Sequence, residues 1–183
     1  MLKRIKQRVP IETLKTIADA IWNSKLRYGI AVYYKPRLTN NDEKCTIQEP
    51  LQVLQNDMIR ELFGYKRKDR VNMDSLRAAQ KMLSVNQIAC YHILLETFNI
   101  LVKNSSPQIK EKIKHRENTR YDMRSNEKGD LNVIEKPKKS CVGFTYLSSK
   151  LWNMLPEEYR KITSPELFKS KIKTWIIESE IPS

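Results

Sequence analysis

The chain has little of what enzymes commonly use for chemistry. Four glycines in 183 residues argue against a turn-rich β-protein and leave no glycine-rich loop to cradle a phosphate. The three cysteines, Cys45, Cys90 and Cys141, are odd in number and far apart, with no C-x-x-C pair. The only histidines are His92 and His115, so no zinc set can be drawn and a Ser-His-Asp triad has little to draw on. The sequence calls for no metal and no cofactor. Unpaired thiols fit a reducing cytoplasmic or nuclear setting. The basic start MLKRIKQRVP is not followed by the apolar run of a signal peptide. No apolar stretch approaches the roughly 20 residues that a membrane-crossing helix needs.

What is present points to helices. Hydrophobic residues make up 40% of the chain and charged residues 30%, the balance of a folded domain rather than a disordered one. Leu, Ile, Lys and Glu recur at helical spacing, so the expected class is all-α. The net charge of +13 is unevenly spread. Residues 1–37 carry nine Lys or Arg against two acids, and residues 103–139 carry eleven against six. Between them, residues 38–102 balance at eight against eight. Basic blocks flanking a neutral centre suit a polyanion such as nucleic acid. A lysine-rich, solubility-driven composition is the bland alternative.

Along the chain, Pro10 opens a helix with Ile11, Leu14, Ile17, Ala18, Ile21 and Trp22 on one face. Asn23-Ser24 reads as a break or kink, and a second apolar segment from Leu26 to Tyr34 contains Gly29 and stops at Pro36. After a polar loop over 39–49, Pro50 starts a helix with Leu51, Leu54, Met58, Ile59, Leu62 and Phe63 as its apolar face. Gln52, Gln55, Asn56, Asp57 and Glu61 fall on the other faces, and Gly64 closes it. Asp74 is expected to cap a helix running to Leu83. The segment from Val85 to Val102 is apolar almost all round and is expected to be the most buried helix, with His92 packed and hydrogen-bonded inside it.

From Lys103 the character changes. Residues 115–140 are highly charged and have little apolar periodicity, which predicts a basic, irregular linker. Beyond it, Phe144 to Ile177 reads as two amphipathic helices. Pro156 stops the first near Leu155, and Ser164-Pro165 caps and opens the second. Phe168, Ile172, Trp175 and Ile176 form its apolar stripe, with Trp152 and Trp175 expected to be shielded. The expected organisation is a helical bundle over 1–104, the basic linker over 105–142 and a C-terminal helical hairpin over 143–183.

Two groups interleave basic and aromatic residues. Lys25, Arg27, Lys35 and Arg37 accompany Tyr28, Tyr33 and Tyr34; Arg60, Lys66, Arg67, Lys68 and Arg70 accompany Tyr65. Such groups can neutralise phosphates while rings stack or pack. In the alternative reading Tyr28 and Tyr33 are core residues and the lysines a solvated rim.

Four separated blocks carry a resemblance. LWNMLPEEYR and SPELFKSKIKTWI resemble the segment that closes many reverse transcriptase polyproteins of non-LTR (LINE-type) retrotransposons, where a Leu-Trp-Asn-x-Leu-Pro turn precedes a Ser…Phe-Lys-x-x-(Ile/Leu)-Lys helix. TLKTIADAIWNSKLRYGIAVYY resembles the thumb helices that follow the palm in the same enzymes, including the Tyr28-Gly29 pair. LQVLQNDMIRELFGY is similar to the helix that follows the thumb. The resemblance implies a helical thumb and post-thumb region that grips a template–primer duplex, RNA or DNA, beside the remainder of a reverse transcriptase. The family's polymerase aspartates include an adjacent pair, and this chain has no Asp-Asp. Polymerase chemistry would then belong to a palm upstream of Met1, and this region would not be an enzyme by itself. The rival expectation is a decayed or co-opted helical module that binds protein and has no nucleic-acid role.

Overall fold

Proline and glycine mark many of the helix boundaries in the computed structural model, which describes residues 8–43, 45–113, 130–131, 143–179 and 181–182. All regular structure among the described residues is helical, with no strand, and the fold is all-α. Two compact units divide the chain: residues 1–88 with Pro182, and Ala89–Ile181. The basic linker expected over 105–142 falls largely outside the described residues.

The first unit opens with α1 (Ile11–Arg27). The Pro10 carbonyl accepts its first hydrogen bond, from Leu14 N–H at 3.0 Å. Of the break or kink expected at Asn23-Ser24, a break does not occur, since the helix runs through both residues. The Ser24 hydroxyl donates to the Ile21 carbonyl at 2.9 Å, a bond made within the helix that lets it continue. The chain turns instead at Gly29, whose φ of 76° is left-handed and natural for glycine. The one-turn helix α2 (Ile30–Tyr33) follows. Of the apolar face read for α1, Leu14 and Ala18 are buried while Ile11 and Ile21 are exposed. Leu14 and Ala18 pack with Leu62, Met58 and Phe63 of α3 (Gln48–Phe63).

The buried side of α3 keeps Ile59 and Leu62 of the expected apolar face, with Met58 and Phe63 packed against the core, and adds two glutamines. Gln48, Gln55, Ile59 and Leu62 are buried, whereas Leu54 is exposed. Gln55 can be inside because its amide finds partners there, whereas the buried Gln48 Oε1 has none among the described residues. Gln55 Nε2 donates to the Leu83 carbonyl at 2.8 Å. Gln52 donates to Gln55 Oε1 at 2.7 Å and accepts the Val85 N–H at 3.1 Å. Arg77, buried on α4 (Met73–Ala79), joins this network by donating to Asn56 Oδ1 at 2.7 Å and pairing with Asp74. Burial pushes the Arg77 guanidinium pKa down and Asp74 opposes that shift. The cap of α4 is Asn72, not Asp74: its Oδ1 accepts from Asp74 N–H at 3.0 Å and Ser75 N–H at 3.1 Å. The helix stops at Ala79 rather than Leu83, and Lys81 turns the chain at φ 53°.

Helix α5 (Val85–Lys103) is buried on nearly every side, as its sequence predicts, with only Glu96, Val102 and Lys103 exposed. The unit boundary falls between its residues Ile88 and Ala89. In its first turn Asn86, fully buried, uses both ends of its amide. Nδ2 donates to the carbonyls of Arg37 and Pro182, each at 2.8 Å. Oδ1 accepts the Arg37 N–H at 2.8 Å and the Tyr34 hydroxyl at 3.5 Å. His92 is buried and partnered within the helix's surroundings.

The second unit centres on aromatic packing. Phe98 of α5 stacks on Phe168 with ring centroids 4.3 Å apart, and Trp152 tilts against Phe168 at 5.9 Å. Helix α6 (Pro107–Lys112) is short. The C-terminal hairpin comprises α7 (Phe144–Met154) and α9 (Pro165–Glu178), separated by a one-turn helix α8 (Glu157–Arg160) whose first turn carries the acidic pair Glu157-Glu158. Ser164 caps α9 by accepting from Leu167 N–H at 3.5 Å. Trp152 is buried, but Trp175 is only half-buried, while Phe168, Ile172 and Ile176 carry the buried stripe. Asn153 brackets Leu131, donating to its carbonyl and accepting its N–H, both at 2.8 Å. Arg160 pairs with Asp130 and donates to the Leu155 carbonyl at 3.0 Å.

Leu95→Ala is expected to lower stability by about 2–5 kcal/mol through the lost transfer energy and the cavity it leaves. A denaturant midpoint close to wild type would show that α5 is not central. Asn86→Ala removes the donors of two buried carbonyls, at about 1–3 kcal/mol for each group left unsatisfied. Urea unfolding monitored by circular dichroism reads that loss directly.

Candidate nucleic-acid interface

The better-defined basic group is built on the end of α3. Gly64 takes a left-handed φ of 81°, and the Tyr65 N–H donates to the Arg60 carbonyl at 2.9 Å, closing the helix in the way glycine favours. The next residues fold into a tight turn. Lys66 N–H donates to Asp69 Oδ2 at 2.7 Å, and Asp69 N–H returns to the Lys66 carbonyl at 3.0 Å. Arg60 holds this turn from beneath, its Nη1 donating to the carbonyls of Lys66 at 2.9 Å and Asp69 at 3.1 Å. Lys66, Lys68 and Arg70 are left exposed on the braced loop.

Arg67 is exposed but engaged. It makes a two-pronged pair with Asp57, through Nε at 3.1 Å and through Nη2. The hydrogen bond from Arg67 holds the Asp57 carboxyl below its ordinary pKa, and the same contact raises that of Arg67. Asp57, Arg60, Glu61, Tyr65, Lys66 and Arg67 line one open depression. The predicted cluster is thus real as a neighbourhood, but its members differ. Arg60 braces the loop and Arg67 is tied to a carboxylate. Asp57 was not read as part of the site; it comes into play ten positions before Arg67, a spacing with no local pattern to betray it.

The first group is looser. Lys25 is exposed near the end of α1, and Lys35 is half-buried. Arg27 ends α1, and its side chain lies outside the described residues. Arg37 works structurally, with Nε donating to the Asp42 carbonyl at 3.1 Å and Nη2 to the Asn40 carbonyl at 3.0 Å. Asp42 completes that loop by accepting from the N–H groups of Leu38 at 3.0 Å and Thr39 at 2.9 Å. The alternative that placed Tyr28 and Tyr33 in the core does not hold. Tyr28 is 88% exposed and Tyr33 47%, and only Tyr34 is buried. The hydrogen bonds described for each group stay within that group or tie it to the body of the first unit.

Among the described residues no three of His, Cys, Asp and Glu gather where they could hold a metal ion. No helix there is long and apolar enough to cross a membrane. Cys45 and Cys90 are unpaired thiols, and burial pushes that of Cys90 far up. Comparison with protein-family models, with curated proteins and with solved structures finds no match. The class that the fold and site define is therefore an all-α protein presenting a braced basic loop.

Asp57→Asn should release Arg67 to solvent anions and steepen the salt dependence of duplex binding by up to about one unit of log–log slope. Lowering the pH acts in the same sense. The Asp57 pKa is depressed, so its pairing is present above the ordinary carboxylate range and is lost as pH falls through the lowered value. Binding isotherms across a salt series for the variant and wild type make the check.

Proposed function

We propose that this chain is a helical thumb and post-thumb region of a LINE-type reverse transcriptase that grips the phosphate backbone of a nucleic-acid duplex without polymerase chemistry of its own. The observation that carries the reading is the loop after Gly64. Arg60 bonds two of its carbonyls, and Lys66, Lys68 and Arg70 stand exposed on it. A cationic loop whose backbone is already fixed loses little conformational freedom on meeting phosphates. Lysines and an arginine exposed together on a loop suit phosphate contacts, which position a duplex rather than read it. The sequence resemblance supplies the parent enzyme and the expectation that the duplex is a template–primer hybrid. On this reading the partners are RNA or DNA duplex and the remaining domains of the reverse transcriptase, in the cytoplasm or nucleus.

A second reading is favoured by one observation, the exposure of Tyr28, Val32 and Tyr33 together on the first unit. Contiguous exposed apolar side chains mark contact surfaces, which suits a helical module that binds another protein.

The test is a variant carrying Lys66→Ala, Arg67→Ala, Lys68→Ala and Arg70→Ala. All four residues follow the end of α3, so helical content by circular dichroism should be unchanged. Duplex affinity should fall alike for all sequences, and each lost phosphate contact should lower the log–log salt slope by about one unit. Template, primer, nucleotides and magnesium added to the wild-type chain should give no extension. Salt-independent binding, or a variant that binds as well as wild type, would transfer the case to the protein-contact reading. Measurable extension would overturn the separation from the polymerase site.

A further inference from the structure

The turn at Gly29 does something that duplex gripping does not need. It ends α1 and sets two tyrosines on the surface, Tyr28 at 88% exposure and Tyr33 at 47%, with Val32 at 88% between them. Tyr33 is held in place. Its hydroxyl donates to the Leu26 carbonyl at 3.3 Å. Its ring edge lies over Gly29, where a Cβ would sit 3.5 Å from Cδ1 and 3.6 Å from Cε1. That edge of the ring is therefore turned towards Gly29, while the ring as a whole stays half-open to solvent. Tyr28, one residue before the glycine, has no such support and is nearly fully accessible.

The charge around these rings is of one sign. From Asn23 to Arg37 the sequence carries Lys25, Arg27, Lys35 and Arg37 and no acid. Lys25 is exposed one helical turn before Tyr28, and Lys35 follows Tyr33 by two positions. An apolar protein partner has no use for Lys25 and Lys35 beside the rings, and a duplex keeps its bases stacked on each other. A single strand offers both complements, phosphates for the lysines and unpaired bases for the rings.

Resting on the nucleic-acid reading above, we propose that Tyr28 and Tyr33, flanked by Lys25 and Lys35, form a stacking platform for an unpaired nucleic-acid segment, separate from the duplex-gripping loop at Lys66 to Arg70. Tyr33 is the preorganised ring, fixed by Leu26 and Gly29. Tyr28 is the accessible ring, free to stack on a neighbouring base. Lys25 and Lys35 hold the adjoining phosphates. Because every base has a π-face, the platform tolerates any sequence.

The experiment uses the full chain and fluorescence anisotropy with two probes of equal length, a labelled single-stranded oligothymidylate and a labelled duplex. The variants are Tyr28→Ala, Tyr28→Ala with Tyr33→Ala, and Tyr28→Phe. The double variant should bind the single strand at least about tenfold more weakly, at roughly 1–3 kcal/mol per stacked base, with duplex affinity unchanged. Tyr28→Phe keeps the ring and should bind like wild type. Tyr28→Ala alone touches a side chain that is almost wholly in solvent, so its helical content by circular dichroism should match wild type and its single-strand affinity should fall in the same direction. Unchanged single-strand binding in both alanine variants, with duplex binding intact, overturns the platform and leaves the duplex reading standing. An equal loss for both probes overturns the selectivity for unpaired bases. A wild-type chain that binds neither probe overturns this proposal and the duplex reading together, and assigns the tyrosines to a protein partner.

Discussion

The first unit depends on one buried amide. Asn86 has two donors and an acceptor inside the protein, and all are used: two carbonyls, one backbone N–H and one phenol surround it. No other residue type of that size can donate twice and accept twice in one plane. Through it the segment after α2 is fixed at Tyr34 and Arg37, and Pro182 is fixed against the start of α5. The basic residues Lys35 and Arg37 are placed where they are because Asn86 sets the backbone that carries them. The desolvation of four polar groups is offset only when all four bonds form, which makes the arrangement all-or-none.

The basic loop after α3 follows the same logic on the surface. Arg60 could have been a phosphate ligand; it is instead the brace that lets its neighbours be ligands. A long cationic side chain with planar, fork-shaped donors suits that task better than lysine does. Division of labour within a charged cluster is invisible in a count of charges. Of the nine basic positions singled out from the sequence, Arg37 and Arg60 bond carbonyls and Arg67 a carboxylate, while the exposed lysines and Arg70 carry the electrostatic reach.

Much of the helical order was legible because its signals are local. Pro10, Pro156, Ser164-Pro165 and Gly64 act on their own turns, and the all-round apolarity of α5 announced its burial. What was not legible depended on distant partners. Gln55 is buried because Leu83 supplies a carbonyl 28 positions away, and an apolarity rule assigns any glutamine to the surface. Arg77 is inside because Asn56 and Asp74 receive it. Tyr28 sits within an apolar run and so reads as core, yet a single left-handed glycine after it turns the ring outward. Asn153 and Arg160 belong to the blocks that carry the family resemblance, and their anchoring of Leu131 and Asp130 had no local signature at all.

The bond from Asn86 to Pro182 spans 96 positions. During synthesis the chain leaves the ribosome from its N-terminus, and domains generally fold as units in that order. The helices α1 to α4 can assemble early, but the donor on Asn86 that faces Pro182 must wait, hydrated or mispaired, until Pro182 itself has emerged. Closing so long a loop adds only a logarithmic entropy term, so the delay is one of timing rather than of stability. The first unit is thereby completed only after the residues of the second have been made.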